Sequence, residues 1–267
     1  MENTCSTKEK LYHYTDFTAL NGILVNNEIW LGNIFDMNDS REMIHFMDLL
    51  KLAVISKIHK SNEVEKLFEN QIRRLRELPI YSASFSYIRD DAAQWERYGN
   101  NGAGVCIGFN TQKLREETRT QVTLQTVFYE LDVSQHKHVQ LISDYIEDNS
   151  NLGEWETIDD IFENAWACAS AHKHPSFCSE YEVRLISMPG TIATKIGEHP
   201  KYRVSSDRIH EYYPLKPSES IAKNLVTDII LGPRTKCSID ILKRYLANEA
   251  NAEIDNINIT KSESPLK

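Results

Sequence analysis

The sequence predicts an α+β fold in one domain, with small mixed or antiparallel sheets flanked by helices. Three observations predict it. Short period-two stretches are interspersed with stretches of helical periodicity, without the strict alternation that a doubly wound parallel sheet requires. The chain has 267 residues, enough for one substantial core. Its 41% hydrophobic and 26% charged residues are those of a soluble globular protein. No repeat or low-complexity linker divides residues 1–260, and 261–267 read as a frayed tail.

Residues 11–15 form a first short strand, and Asp16 caps a helix that buries Phe17, Leu20, Ile23 and Leu24. Ile29 to Gly32 is a second strand. Asp39 and Glu42 make a capping-box pattern for a helix reaching about residue 60, with Ile44, Met47, Leu50, Val54 and Ile58 near one face. Asn62 and Glu65 repeat that pattern for a third helix, with Val64, Leu67, Phe68, Ile72 and Leu75 inward and Pro79 as its stop. Residues 80–86 are a strand, and 90–98 a short helix closed by Gly99. After the Asn100-Asn101-Gly102 turn come a buried strand over 103–109 and a longer one over 122–130. Helices are predicted over 135–148 and 154–172, the second burying Trp155, Ile158, Ile161, Phe162, Ala165 and Trp166. Short strands fit 191–196, 202–204, 209–214, 228–232 and 254–259, with a helix from Ile239 to Leu246 before the last.

The net charge of -9 argues against broad adhesion to nucleic acid or anionic membrane. Two basic clusters stand out, one at Arg73-Arg74-Leu75-Arg76 and one over 201–208. The first lies on a helical pattern and reads as a solvated face. Five cysteines, an odd number without metal-ligand spacing, favour a reducing compartment. Residues 1–10 are polar and no apolar run approaches a membrane span, so a cytoplasmic protein without a secretory leader is expected. The histidines of His136-Lys137-His138 and His172-Lys173-His174 lack the i, i+4 spacing of paired helical ligands, and no metal site is expected. Asn38, Asp39 and Glu42 are a poor magnesium set, since one acidic pair already engaged in capping is not a two-metal site. The Gly99 to Gly104 stretch follows a helix and precedes a strand, the reverse of a phosphate cradle, and no Gly-x-Ser-x-Gly elbow is present.

Residues 179–186 carry the densest signal. Read as a strand, they place Tyr181, Val183 and Leu185 on one face and Glu180, Glu182 and Arg184 on the other, about 7 Å apart. Such a row costs desolvation unless solvated or paired. It either edges a cleft or makes an ordinary cross-strand ion pair. His13, Tyr14 and Thr15 end the first strand, Ser84 and Ser86 lie on the strand after Pro79, and Trp95 and Tyr98 lie on the short helix.

These segments resemble the bacterial DUF2971 family. The resemblance is carried by Leu11-Tyr-His-Tyr-Thr15, Ile29-Trp-Leu31, Met37-Asn-Asp-Ser-Arg-Glu42 and Ser84-Phe-Ser86. It continues through Gln94-Trp-Glu-Arg-Tyr-Gly99, Gly104 to Phe109, Glu180-Tyr-Glu-Val-Arg-Leu-Ile186 and Ile229-Ile-Leu-Gly-Pro-Arg234. The chain departs from the family at Ser40, where Pro is common. The resemblance implies an accessory or defence-associated bacterial protein.

The order His13, then Ser84 or Ser86, then Glu182 also resembles the ADP-ribosyltransferase superfamily, whose NAD lies in a cleft between two small sheets. That resemblance implies a split sheet, NAD as substrate without a metal, and an effector or toxin, for instance in phage defence. It implies Glu182, His13 and Ser86 as catalytic residues, with Glu182 stabilising an oxocarbenium-like transition state and His13 anchoring the adenosine ribose. Tyr14, Thr15, Ser84, Trp95, Tyr98, Arg184 and Arg234 would bind the cofactor, Tyr14 or Tyr98 by stacking on nicotinamide and Arg184 or Arg234 by clamping the pyrophosphate. The acceptor would be a protein or a nucleic acid, and a defence-system partner protein is implied. The competing expectation is a non-catalytic ligand-sensing or protein-interaction module. Glu180 and Glu182 stay open as the functional carboxylate, the Glu-x-Arg spacing favouring Glu182.

Overall fold

A computed structural model describes residues 9–37, 41, 43–58, 61–130, 136–152, 155–187, 200–204 and 208–266, without the side chains of 61, 151–152 and 155–160. The fold is α+β. In chain order the strands are β1 (Lys10–Thr15), β2 (Ile29–Asn33), β3 (Tyr81–Ser86), β4 (Val105–Asn110), β5 (Thr123–Thr126), β6 (Glu182–Ser187), β7 (Lys201–Val204), β8 (Ile209–Leu215), β9 (Val226–Leu231) and β10 (Asn258–Lys261). The α-helices are α1 (Phe17–Leu24), α2 (Ile44–Lys57), α3 (Ser61–Glu77), α4 (Ala92–Arg97), α5 (Thr111–Thr118), α6 (Lys137–Leu152), α7 (Trp155–Ser170) and α8 (Ile239–Asn248).

Instead of separate small sheets, hydrogen bonding joins all ten strands of the described residues. The order is β10-β9-β4-β1-β3-β2-β8-β7, with β6 also on β3 and β5 beyond β6. The β9–β10 pair is parallel and the other ladders are antiparallel. The splitting is confined to a fork on β3. One edge of β3 pairs with β6 along its full length. The other edge is shared: Ser86 pairs with Tyr12 of β1, while Ser82 and Tyr81 pair with β2. Among the described residues, Ala83, Ser84 and Phe85 therefore have a ladder partner only on the β6 side, and β1 and β2 diverge there.

Alternation fixes what each face of β3 carries. Tyr81, Ala83 and Phe85 join Leu11, Ile107, Val183 and Leu185 in the main core, covered by α1, α5 and α8. Ser82, Ser84 and Ser86 face the other way, beside Glu182 and Arg184 of β6. A second core holds α2, α3, α6 and α7 together and meets the sheet at Ile34, Ile80 and Ile186.

Asp16 caps α1 as expected, accepting from the Ala19 N–H. The expected stripes of α2 and α3 hold, although Ile44, Leu67 and Ile72 are only partly buried and Phe46 and Leu49 widen the α2 face. Asn38, Asp39 and Glu42 lie outside the described residues, and α2 starts at Ile44 behind Met43, whose φ of 64° ends the preceding turn. Asn62 sits inside α3, which begins one residue earlier than its expected cap. The strand over 122–130 is shorter than expected. After β5, Phe128 leaves β6 to bridge to His172. In α7 Phe162, Ala165 and Trp166 are buried, while the side chains of Trp155 and Ile158 lie outside the described residues, as does the 191–196 strand. The last strand lies later than expected, because Ile254–Asn256 form a 3-10 turn. The expected tail is tied back: Ser262 Oγ and the Glu263 N–H donate to Asp90, and Leu266 packs beside Trp95.

Gly99 is needed for closeness and not for a left-handed φ. A Cβ there would stand 2.4 Å from the Trp95 ring, while the positive φ values fall on Asn100, Asn101 and Gly102. At Gly104 a Cβ would lie 2.1 Å from the Thr15 carbonyl oxygen and 2.9 Å from that of Gly99, both backbone atoms that cannot yield cheaply. Gly104→Ala is therefore expected to lower stability by about 3 kcal/mol, read as a fall in the urea midpoint without a change in slope.

Candidate functional site

The polar face of the fork opens into a cavity of about 290 Å³. It is bounded by His13 and Tyr14 of β1, the three serines of β3, Tyr98 after α4, Lys173, Glu180 and Glu182. A second lobe of about 300 Å³ shares His13, Trp30, Met37 and Arg203 with it and extends past Thr15 to Arg208 and Glu211. Together they reach the size of small-molecule clefts.

Glu182 stands at the floor, 4% exposed. Its Oε1 accepts from Ser84 Oγ at 2.5 Å and from Arg184 Nε at 2.8 Å. Its Oε2 accepts from Arg184 Nη2 at 3.1 Å and Lys173 Nζ at 3.2 Å. Burial pushes its pKa upward, but Arg184 and Lys173 outweigh burial and, with the two hydrogen-bonded donors, hold it at about 2. The group is therefore a carboxylate. Its own backbone N–H donates to the Tyr129 hydroxyl at 3.0 Å. Arg184 is fully buried and uses its remaining Nη1 on the Ser170 carbonyl at 2.9 Å.

Glu180 is not part of the strand. Residues Pro175–Glu180 form a 3-10 segment, and Tyr181 takes a left-handed φ of 45° that turns the chain into β6. Tyr181 consequently points out, 53% exposed, where alternation placed it in the core. The two carboxylates converge on Lys173 nonetheless. Glu180 accepts from Lys173 Nζ at 2.8 Å, Tyr98 Oη at 2.7 Å and Arg97 Nη1 at 3.1 Å. Burial opposes the charge on Lys173, but the two glutamates raise its pKa above the usual lysine range. Burial and then the bond to Glu180 push the Tyr98 phenol up to about 12.

His13 Nδ1 lies 2.8 Å from the Ser84 carbonyl oxygen, on the edge of β3 that the fork leaves without a strand. A carbonyl only accepts, so Nδ1 carries the proton. Burial lowers the ring's pKa, which favours the neutral form and leaves Nε2 as an acceptor.

The structure thus brings His13, Ser84, Tyr98 and Glu182 around one cavity. Thr15 lines the second lobe. Five expected residues have other tasks. Ser86 Oγ is committed to the Glu180 carbonyl and the Ile88 N–H. The Tyr14 hydroxyl donates to the Ile88 carbonyl and accepts from the Asp91 N–H, with its ring edge-on to Trp95, so it fastens a loop. Trp95 is fully buried with its indole N–H on Asp90 and does not line the cavity. Arg184 lies beneath Glu182 and is not among the cavity's lining residues. Arg234 holds the Asn101 carbonyl and side chain, away from both lobes. Sequence reasoning missed Lys173, which stands between His172 and His174 with no pattern of its own. It also missed Arg203, which lay inside the noted basic cluster over 201–208.

A model of the family DUF2971, protein of unknown function, matches residues 94–185. The resemblance noted from the sequence therefore holds over the segment running from α4 through most of β6, which supplies Tyr98, Lys173, Glu180, Glu182 and Arg184. No curated protein and no solved structure matches the chain at a significant level.

Because Glu182 has a folded pKa below its ordinary 4.5, its charge contributes stability that is complete above pH 4.5 and lost as pH falls toward 2. Glu182→Gln should lower stability at pH 7 by about 3 kcal/mol. Between pH 4.5 and 2 the gap between wild type and variant should close, which denaturant titrations at stepped pH will measure.

Proposed function

We propose that the protein is an NAD-consuming enzyme of the ADP-ribosyltransferase type. One observation carries the reading: a neutral histidine on β1, a serine hydroxyl on β3 and an ionised glutamate on β6 meet where the sheet forks. Heterolysis of the nicotinamide–ribose bond leaves the electron pair on nicotinamide and positive charge on the ribose, as in glycoside cleavage. A carboxylate that stays ionised beside that carbon stabilises the charge as it develops. The acceptor's lone pair then forms the new bond to the ribose and its proton leaves to solvent. His13 Nε2 suits a ribose hydroxyl donor, and Tyr98 suits ring stacking. Arg203, exposed at the mouth of both lobes, replaces Arg184 and Arg234 as the candidate for the pyrophosphate. The acceptor class we propose is a protein or nucleic acid, and the setting a bacterial defence effector or toxin.

The four described cysteines, Cys106, Cys168, Cys178 and Cys237, are free thiols, which supports a cytoplasmic setting. Among the described residues no helix is long and apolar enough to cross a membrane.

A second reading has its own support. Both oxygens of Glu182 are already occupied by Arg184, Lys173 and Ser84, as in a structural ion cluster. The cleft would then be a ligand-sensing module without turnover.

Nicotinamide release from NAD, with and without bacterial lysate, separates the two. Wild-type turnover should fall about 100-fold in Glu182→Asp, which keeps the charge but withdraws it, and about 10-fold in Ser84→Ala. Arg234→Ala should leave it unchanged. An NAD-dependent rise in melting temperature without release would favour the sensor reading, and neither signal would overturn the enzyme reading.

A further inference from the structure

A second cluster lies away from the cleft's two lobes and belongs to neither reading. His136 and His138 at the start of α6 meet His172, which follows the end of α7. One potential ligand atom from each lies within 4.8 Å of those of the other two. The ring centroids of His136 and His172 are 4.3 Å apart, and His138 is 5.9 Å from the first and 6.0 Å from the second. His136 and His172 are each 3% exposed. His136 Nδ1 and His172 Nε2 make no side-chain hydrogen bond among the described residues, and His136 Nε2 has only the Glu130 carboxylate near it. Buried polar atoms left in that state cost about 1–3 kcal/mol each, so such groups call for a specific explanation.

The surroundings are those of metal ligands. His172 Nδ1 is tied to the Cys168 carbonyl, which fixes the ring and leaves the buried Nε2 as its available ligand atom. Ligating histidines are commonly held in this way through their second nitrogen. Glu130 Oε2 lies 3.4 Å from His136 Nε2, placed to orient that ring through a carboxylate. Phe46 and Phe128 flank the cluster, so its shell is apolar. A cavity of about 250 Å³, lined by His138, His172, Cys168 and Phe128, offers an entry path. The exposed His138 is free to swing. Nitrogens around a tetrahedral zinc ion lie roughly 3.4 Å apart, and a rotation of that one side chain supplies the remaining approach.

We propose that His136, His138 and His172 form a binding site for a zinc-class divalent transition metal, with three imidazole ligands and a coordination position left for water. Imidazole donors in an apolar shell select such ions over magnesium or calcium. The ion would staple the start of α6 to the segment after α7. Because Lys173 follows His172 directly and bonds both Glu180 and Glu182, the staple would also fix the turn that supplies the cleft's lysine.

The test uses the full chain, stripped with EDTA and titrated with Zn²⁺, and with Co²⁺ as a spectroscopic probe. The expected result is one equivalent of Zn²⁺ per chain, a raised melting temperature, and the visible absorption of low-coordinate cobalt. His138→Ala removes an exposed ligand and should leave the metal-free melting temperature unchanged, while weakening Zn²⁺ binding at least 10-fold. His172→Gln should weaken it further. A wild type that takes up no stoichiometric Zn²⁺, or a His138→Ala variant that binds as tightly as wild type, would overturn the proposal.

Discussion

The chelation of Glu182 by Arg184 and Lys173 is the contact on which the polar half of this molecule depends. Arg184 and Glu182 stand two residues apart on the same face of β6, so strand geometry alone brings fork and carboxylate together. Lys173 draws in Glu180, and Glu180 draws in Tyr98 and Arg97 at the end of α4. Arg184 in turn holds the Ser170 carbonyl at the end of α7. One buried network thus joins the central sheet, the short helix over it and the end of the helical bundle. Removing a single member would leave an uncompensated charge in a dry interior, so the members stand or fall together.

The fork on β3 makes room for that network. In Tyr81-Ser-Ala-Ser-Phe-Ser86 the large residues all fall on the core face and the small hydroxyls on the other. Further along the sheet the same non-core face is filled by Tyr12, Tyr14, Trp95, Cys106 and Ile230, which close it with apolar bulk. Beside β6 the serines leave a hollow, and charged side chains from three directions enter it. Where β1 and β2 separate, the exposed backbone edge needs a donor, and His13 supplies one to Ser84. Pairing, side-chain size and backbone satisfaction all converge on the same few residues.

Much of this was legible in the sequence. The strand pattern, the Asp16 cap, the helix stripes and the row of Glu182 and Arg184 follow from local periodicity and capping chemistry, which act over a few residues. The left-handed turn at Tyr181 was not legible, because a tyrosine is a poor indicator of positive φ. Alternation therefore ran one turn too far and put Tyr181 in the core. Lys173 and the spatial grouping of His136, His138 and His172 escape the sequence for a different reason. Their partners lie on other segments, and i, i+4 spacing along a helix says nothing about side chains gathered from two chain segments. The resemblance that puts Arg234 and Trp95 in the cleft does not see their long-range partners: Arg234 is committed to Asn101, and Trp95 is buried in α4 with its indole N–H on Asp90.

A buried ionic cluster is a poor means of stabilising a fold. Well-packed hydrophobic residues of the same volume usually do as well or better. The neighbouring stretch of this same sheet face is packed in that way, around Trp95. The contrast locates the polar network where the sheet opens to a cleft and where bulk apolar packing would fill it. Ser84 is the point at which stability and access meet: its hydroxyl bonds Glu182 while its residue remains half-buried on the cavity wall. A ligand hydroxyl entering the cleft can therefore compete for a carboxylate oxygen at the serine, the one uncharged side chain bonded to it, without disturbing Arg184 or Lys173. The two cations keep the carboxylate ionised and fixed, and the serine is the partner it can exchange.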